Sequence, residues 1–269
     1  MQATPYRPGS HDGTDYHEPM PAEHDGGAAP FSASNGPCGV LLLHGYMASP
    51  ASLRRLAEAF ADAGFSVELP LLPGHGAGAR ELLPLRYRDV ASAAEAAYLA
   101  LAARSDAMVV VGHSMGGTLA CGLAERHLDL GGLVLINPLL LAPGRDAVQD
   151  LRDALAAGVA VMPARAGARA APEVDAPVVD QVPIAPLLSL YEEATGVADA
   201  LADISCPVLL FSSRTDPVVA PQSSDLVEHH VAGPVERVVL DAGSHLPTLD
   251  DDAEEIEHRS VAFALKVAC

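Results

Sequence analysis

The sequence predicts an α/β fold, a mostly parallel sheet with helices on both faces and an inserted helical cap. Three observations carry this reading. Short apolar runs alternate with amphipathic stretches along the chain. Several of those runs are apolar at every position rather than every second one, as in strands covered on both faces. Between Leu141 and Ile204 the alternation lapses for far longer than a crossover needs.

The elements follow in order. Residues 1–30 hold His11, His17 and His24 among Asp, Glu, Gly and Pro without periodicity. They read as a flexible arm, with metal binding by the His and carboxylates as the alternative. Gly39–Leu43 is a buried strand, and Ser49 caps the helix that follows, with Pro50 in its first turn and Gly64 at its end. Leu53, Leu56, Ala57 and Phe60 fall on one face of that helix. Ser66–Leu69 is a strand, Pro73–Gly78 a loop, and Asp89–Ala103 an alanine-rich helix. Met108–Val111 is the next strand, leading through Gly112–Gly117 into a helix that reaches His127. Leu133–Ile136, Pro207–Phe211 and Arg237–Leu240 complete the strands. Pro221–Val231 is a short helix, and Asp252–Val267 a closing helix whose first-turn acids suit the helix dipole. The core is expected over 31–140 and 205–269. The cap, or lid, spans 141–204, with helices at Asp146–Ala157 and across Ala185–Leu201.

Composition excludes several classes. The 269 residues are 49% hydrophobic, enough for one domain with a substantial core. Sixteen basic against 35 acidic residues give a net charge of −19, and Lys266 is the only lysine. That argues against nucleic acid and anionic membrane surfaces. No apolar stretch reaches the roughly 18 residues of a membrane span, and no secretory signal is visible. A cytoplasmic location is therefore expected. Cys38, Cys121, Cys206 and Cys269 match no zinc or disulfide spacing and read as free thiols.

The chemistry centres on Gly112-His113-Ser114-Met115-Gly116. It follows a buried strand and opens a helix, the context that G-x-S-x-G requires. A strained turn there lifts the Ser114 hydroxyl from the sheet edge, while the glycines let strand and helix backbones pass closely. The Met115 amide points into the same space at a helix N-terminus. Serine needs a base. In this architecture an acid and then a histidine follow the serine in the chain, which selects His245, on the loop after Arg237–Leu240. His44 and His75 precede Ser114, His113 lies within the turn, and His229, His230 and His258 fall among charged helical neighbours. Asp216, just after Pro207–Phe211, is the expected orienting acid, with Asp241 as its rival. The loop after the first buried strand supplies the second oxyanion donor, placed at the Tyr46 amide.

Leu42-Leu43-His44-Gly45-Tyr46, Pro73-Gly74-His75-Gly76, Gly112-His113-Ser114-Met115-Gly116-Gly117, Thr215-Asp216-Pro217-Val218-Val219 and Ser244-His245 together resemble the bacterial carboxylesterase and monoacylglycerol lipase family of α/β-hydrolases. Phe31–Pro37 resembles the family's lead-in segment, and the likeness runs over residues 30–268 apart from the middle of the cap. The resemblance implies an α/β-hydrolase fold, a triad of Ser114, Asp216 and His245, and an oxyanion hole at the Tyr46 and Met115 amides. Many relatives carry Phe at the Tyr46 position. Asp180 matches an acidic position in some relatives, where it would bind a glycerol hydroxyl; a solvated or capping acid is the alternative. The cap departs most from the family, with an alanine-rich 158–176 that carries Arg165 and Arg169. The expected activity is serine-esterase hydrolysis of monoacylglycerols or medium-chain esters. A thioesterase, a short-chain carboxylesterase or a non-catalytic ligand-binding protein are the alternatives. The partner is a small-molecule ester or lipid; no cofactor and no metal are called for.

Overall fold

The computed structural model describes residues 28–164, 181–241 and 244–268. The first half of the chain forms β1 (Phe31–Ser34), β2 (Cys38–Leu43), α1 (Arg54–Asp62), β3 (Ser66–Leu69), α2 (Ala79–Leu82), α3 (Tyr87–Ala102), β4 (Ala107–His113), α4 (Met115–Arg126) and β5 (Gly132–Ile136). Then come α5 (Arg145–Ala156), β6 (Val161–Pro163), β7 (Gln181–Pro183) and α6 (Ile184–Asp199). β8 (Val208–Ser213), α7 (Gln222–His230), β9 (Val235–Leu240) and α8 (Ala253–Ala268) close the chain.

Seven strands make one sheet in the order β1-β3-β2-β4-β5-β8-β9. All its pairs are parallel except β1 with β3. Side chains alternate across it. Leu41, Leu43, Val110 and Leu135 join the core under α3, α4, α6 and α7. Val40, Leu42, Val111 and Ile136 join the opposite core under α1 and α8. Both sides of β2, β5 and β8 are thus covered, and every residue of these strands is buried. Each fully buried Leu or Val contributes about 1.5–3 kcal/mol relative to exposure. This two-sided cover is why their sequences are apolar without a gap. Parallel pairing directs the chain ends of β4, β8 and β9 to the same edge of the sheet.

Between β5 and β8 lies the long insertion. β6 and β7 pair antiparallel, Val161 opposite Pro183. α6 lies against α3 and α4, and α5 packs on α6 without burying any residue of its own.

Three details differ from expectation. Ser49 makes no side-chain cap. The first turn is a tight 3-10 turn at Pro50–Leu53, so the Ser52 amide bonds the Ser49 carbonyl at 3.1 Å and leaves the Ser49 hydroxyl nothing to hold. Cys38 is disulfide-bonded rather than free. Cys121 and Cys206 are free and buried, as read from spacing, and burial pushes the Cys206 thiol up to about 11. The sequence reading also left out β1, whose pairing with β3 adds the antiparallel edge. The 1–30 arm through residue 27, Arg165, Arg169 and Asp180 lie outside the described residues.

One half-buried acid gives the fold a pH signature. Glu125, in the last turn of α4, has a buried, unpartnered Oε1, and burial raises its pKa from 4.5 to about 7. An acid raised on folding holds its proton more tightly in the native state, so its contribution falls as pH climbs from 4.5 to 7. Glu125→Gln is therefore expected to match wild type in Tm below pH 4.5, to exceed it progressively as pH climbs to about 7, and to keep a constant margin above that. A Tm difference independent of pH in thermal melts would refute this.

Candidate active site

The turn between β4 and α4 is built by close backbone approach. A Cβ on Gly112 would lie 2.2 Å from the Gly116 carbonyl oxygen, and one on Gly116 would lie 1.9 Å from that of Leu43. Only glycine lets α4 start this near the sheet. Ser114, between them, has φ +55°, a left-handed conformation costing about 1–3 kcal/mol for a side-chain-bearing residue. Its backbone is over-determined: its amide bonds Ile136 O at 3.0 Å and its carbonyl accepts from Gly117 and Leu139 at 2.9 and 3.1 Å. The strain is held by the sheet, and the hydroxyl is presented at the N-terminal end of α4, where the helix dipole is positive.

His245, on the loop after β9, reaches this hydroxyl. Its Nε2 stands 3.1 Å from Ser114 Oγ. Its Nδ1 stands 2.7 Å from Asp216 Oδ2. Asp216 follows β8, and its other oxygen accepts the amides of Val218 and Val219 at 2.7 and 3.0 Å. The carboxylate is thus pinned by its own turn while its free edge faces the imidazole. Its side chain is 2% exposed. Asp241 goes elsewhere: its side chain is 82% exposed and pairs with Arg214 at 3.0 Å.

Tyr46 and Met115 flank Ser114. Met115 opens α4 and is buried. Tyr46 lies in the loop after β2, and a Cβ on the adjoining Gly45 would sit 3.3 Å from Ser114 Cβ, so the loop backbone abuts the serine. The Tyr46 hydroxyl donates to Pro183 O at 2.9 Å, tying this loop to the insertion. Burial raises the phenol's pKa and keeps it protonated. His44 anchors the loop from below: its Nδ1 faces Gly45 O at 3.0 Å and its Nε2 accepts the Leu72 amide at 3.1 Å. Burial lowers its pKa to about 3, so it stays neutral.

The sequence reading set His113 aside as a residue of the turn and passed over Asn137; both act at a distance. His113 donates from Nε2 to His245 O at 2.7 Å, and burial lowers its pKa to about 3. Asn137, in the left-handed region with φ +43°, accepts the Ser213 amide at 2.8 Å and donates to Ser213 Oγ at 3.0 Å. Its amide nitrogen also lies 3.4 Å from His245 O. Together they hold the backbone that carries His245. The signal for Asn137 was its place, a polar residue directly after the all-apolar β5 at the edge where Ser114 and Asp216 emerge. Nothing in the sequence marked His113 beyond its neighbour.

Among the described residues no three His, Cys, Asp or Glu side chains converge as a metal site, and no helix is long and apolar enough to cross a membrane.

The alpha/beta hydrolase family model matches residues 40–258. A thermostable monoacylglycerol lipase of Bacillus sp. (strain H-257) is 36% identical over 250 residues, 90% of this chain and 96% of that protein. A solved structure from work on LipS and LipT, two metagenome-derived lipolytic enzymes, superposes with a TM-score of 0.82 at 32% identity, covering 89% of this chain and 98% of that one. The monoacylglycerol lipase of Paleococcus ferrophilus shares the fold, with a TM-score of 0.73 at 18% identity over 88% of this chain and 98% of its own. Fold and relatives together define a serine hydrolase that acts on esters. The chain belongs to the alpha/beta hydrolase family, in its carboxylesterase and monoacylglycerol lipase branch.

Proposed function

We propose that this enzyme hydrolyses monoacylglycerols or medium-chain esters through an acyl-enzyme on Ser114. The observation that carries the reading is the unbroken line from Ser114 Oγ through both His245 nitrogens to Asp216, at 3.1 and 2.7 Å. Ser114 Oγ attacks the ester carbonyl carbon while His245 Nε2 takes its proton. Asp216 holds the Nδ1 proton and stabilises the imidazolium. The Tyr46 and Met115 amides receive the developing oxyanion. His245 then protonates the departing alcohol, and the same steps run with water to release the acid.

Residues 141–204 act as the cap over the core of 31–140 and 205–269, with 1–30 as an arm. α6 brings Ile184, Leu187, Leu188 and Leu190 over the core, and the Tyr46–Pro183 bond fixes the cap's edge beside the reacting carbonyl. An acyl chain beneath α6 gains up to about 0.8 kcal/mol per buried methylene. kcat/KM is therefore expected to rise with acyl length into the medium range on 1-monoacylglycerols and nitrophenyl esters, then level or fall when the space is filled. Triacylglycerol emulsions should be poor substrates, because a cap held this close admits one chain. A flat length profile, or faster turnover of triolein than of monoacylglycerols, would leave ester hydrolysis but reject the substrate class. Faster turnover of acyl thioesters than of their oxygen esters would favour a thioesterase.

A further inference from the structure

The reaction above uses His245 and leaves a second buried imidazole at the same end of the sheet without a task. His75, in the loop after β3, is 4% exposed. Its Nδ1 lies 2.9 Å from Pro73 O. A carbonyl only accepts, so Nδ1 carries the ring proton and Nε2 is an acceptor. Burial lowers the pKa and keeps the ring neutral. That Nε2 is buried and has no hydrogen-bond partner. An acceptor stripped of water and left unpaired carries its full desolvation cost, so such an atom at a reaction site calls for a donor brought by a ligand.

The surroundings say which part of the ligand. His75 lines a narrow cleft with Tyr46, Met115, Leu82, Val90 and Leu190. Tyr46 and Met115 are the residues whose amides face the reacting carbonyl in the mechanism above, so the cleft adjoins the bond to be cut. Its other walls come from α2, α3 and α6 and are largely apolar, which suits an acyl chain better than a polyol. His44 packs edge-on against the His75 ring at 5.0 Å with both its nitrogens engaged, by Gly45 O and the Leu72 amide. Tyr46 donates to Pro183 O, and Arg86 Nη1 donates to the carbonyls of Leu83 and Leu85. Among the described residues, His75 Nε2 is the one buried, unpartnered side-chain atom in this lining. The cleft as it stands has a volume of only about 10 Å³, so a chain enters by turning aside side chains of its walls.

We propose that His75 Nε2 accepts a hydrogen bond from a hydroxyl carried on the acyl chain, so that esters of hydroxy acids are preferred over plain esters of equal length. The inference rests on the acyl-enzyme reading, and the test separates the two. Wild type is assayed on 4-nitrophenyl octanoate and on octanoates hydroxylated at carbon 2, 3, 6, 7 or 8, the other two isomers being lost to lactone formation. Turnover of plain octanoate tests the esterase reading; the ratio of hydroxylated to plain kcat/KM tests His75. One hydroxyl position is expected to exceed the plain ester by about tenfold. In His75→Phe, which fills the same space without an acceptor, that ratio should fall to near one, whatever the absolute rates. His75→Gln, which retains an accepting oxygen, should keep part of the preference. A wild-type scan with no position preferred by more than about twofold overturns the proposal without any variant. So does a preference that survives in His75→Phe. A His75→Phe effect confined to the ratio of glyceryl to methyl octanoate would put the hydroxyl on the alcohol and overturn the acyl assignment.

Discussion

Ser114→Ala is expected to lower kcat for ester hydrolysis by at least about 10³-fold, with the fold intact. The size follows from what is removed. Without the hydroxyl no acyl-enzyme forms, and the remaining rate comes from a water beside His245 and the oxyanion amides. The intact fold follows from where the structural bonds lie. The amide and carbonyl of Ser114, not its side chain, bond Ile136, Gly117 and Leu139. Among the described residues the hydroxyl's hydrogen-bond partner is His245. Alanine keeps the Cβ that makes φ +55° unfavourable, so the strain is unchanged by the substitution. Far-UV circular dichroism and the melting temperature should match wild type. A fluorophosphonate should label Ser114 and no other serine, and the variant should take no label. Retention of more than a tenth of wild-type kcat would reject Ser114 as nucleophile.

The legible parts of this protein are those where one physical demand acts on neighbouring residues. β2, β5 and β8 are covered on both faces, and that demand writes itself as runs such as Val40-Leu41-Leu42-Leu43. The turn at Ser114 needs backbone contact within a few residues, so its glycines fall at fixed spacing and make a motif. His245 and Asp216 were readable because parallel strands deliver their ends to one edge in chain order. What escaped depends on distant partners. β1 is a half-exposed tetrapeptide, Phe31-Ser32-Ala33-Ser34, whose strand character comes from β3. The Tyr46–Pro183 bond joins positions 137 apart in sequence. His113 and Asn137 act on His245 through its carbonyl oxygen, a backbone atom that leaves no trace in residue identity. The Ser49 cap failed because a local rule met a tighter turn than it assumes.

Asp216→Asn should lower kcat by about 10⁴-fold, while Asp241→Asn should change it by less than about twofold. Asp216 accepts at both oxygens: Oδ1 takes the Val218 and Val219 amides and Oδ2 faces His245 Nδ1. Asparagine has one accepting oxygen, and either orientation fails. If that oxygen stays on the two amides, the side-chain NH2 meets Nδ1 as a donor. The imidazole must then put its proton on Nε2, facing Ser114 Oγ, and cannot take the serine's proton. If the asparagine flips, NH2 meets two N–H donors and the turn after β8 loses its anchor. The first case leaves stability nearly unchanged and removes the base; the second costs stability as well. Asp241 has no such place. Its exposed side chain pairs with Arg214 in solvent, where an ion pair is worth at most about 1 kcal/mol, and it touches neither His245 nor Ser114. Steady-state kcat on a nitrophenyl ester, with melts of both variants, decides the matter. A larger loss from Asp241→Asn than from Asp216→Asn would move the acid of the site to the end of β9.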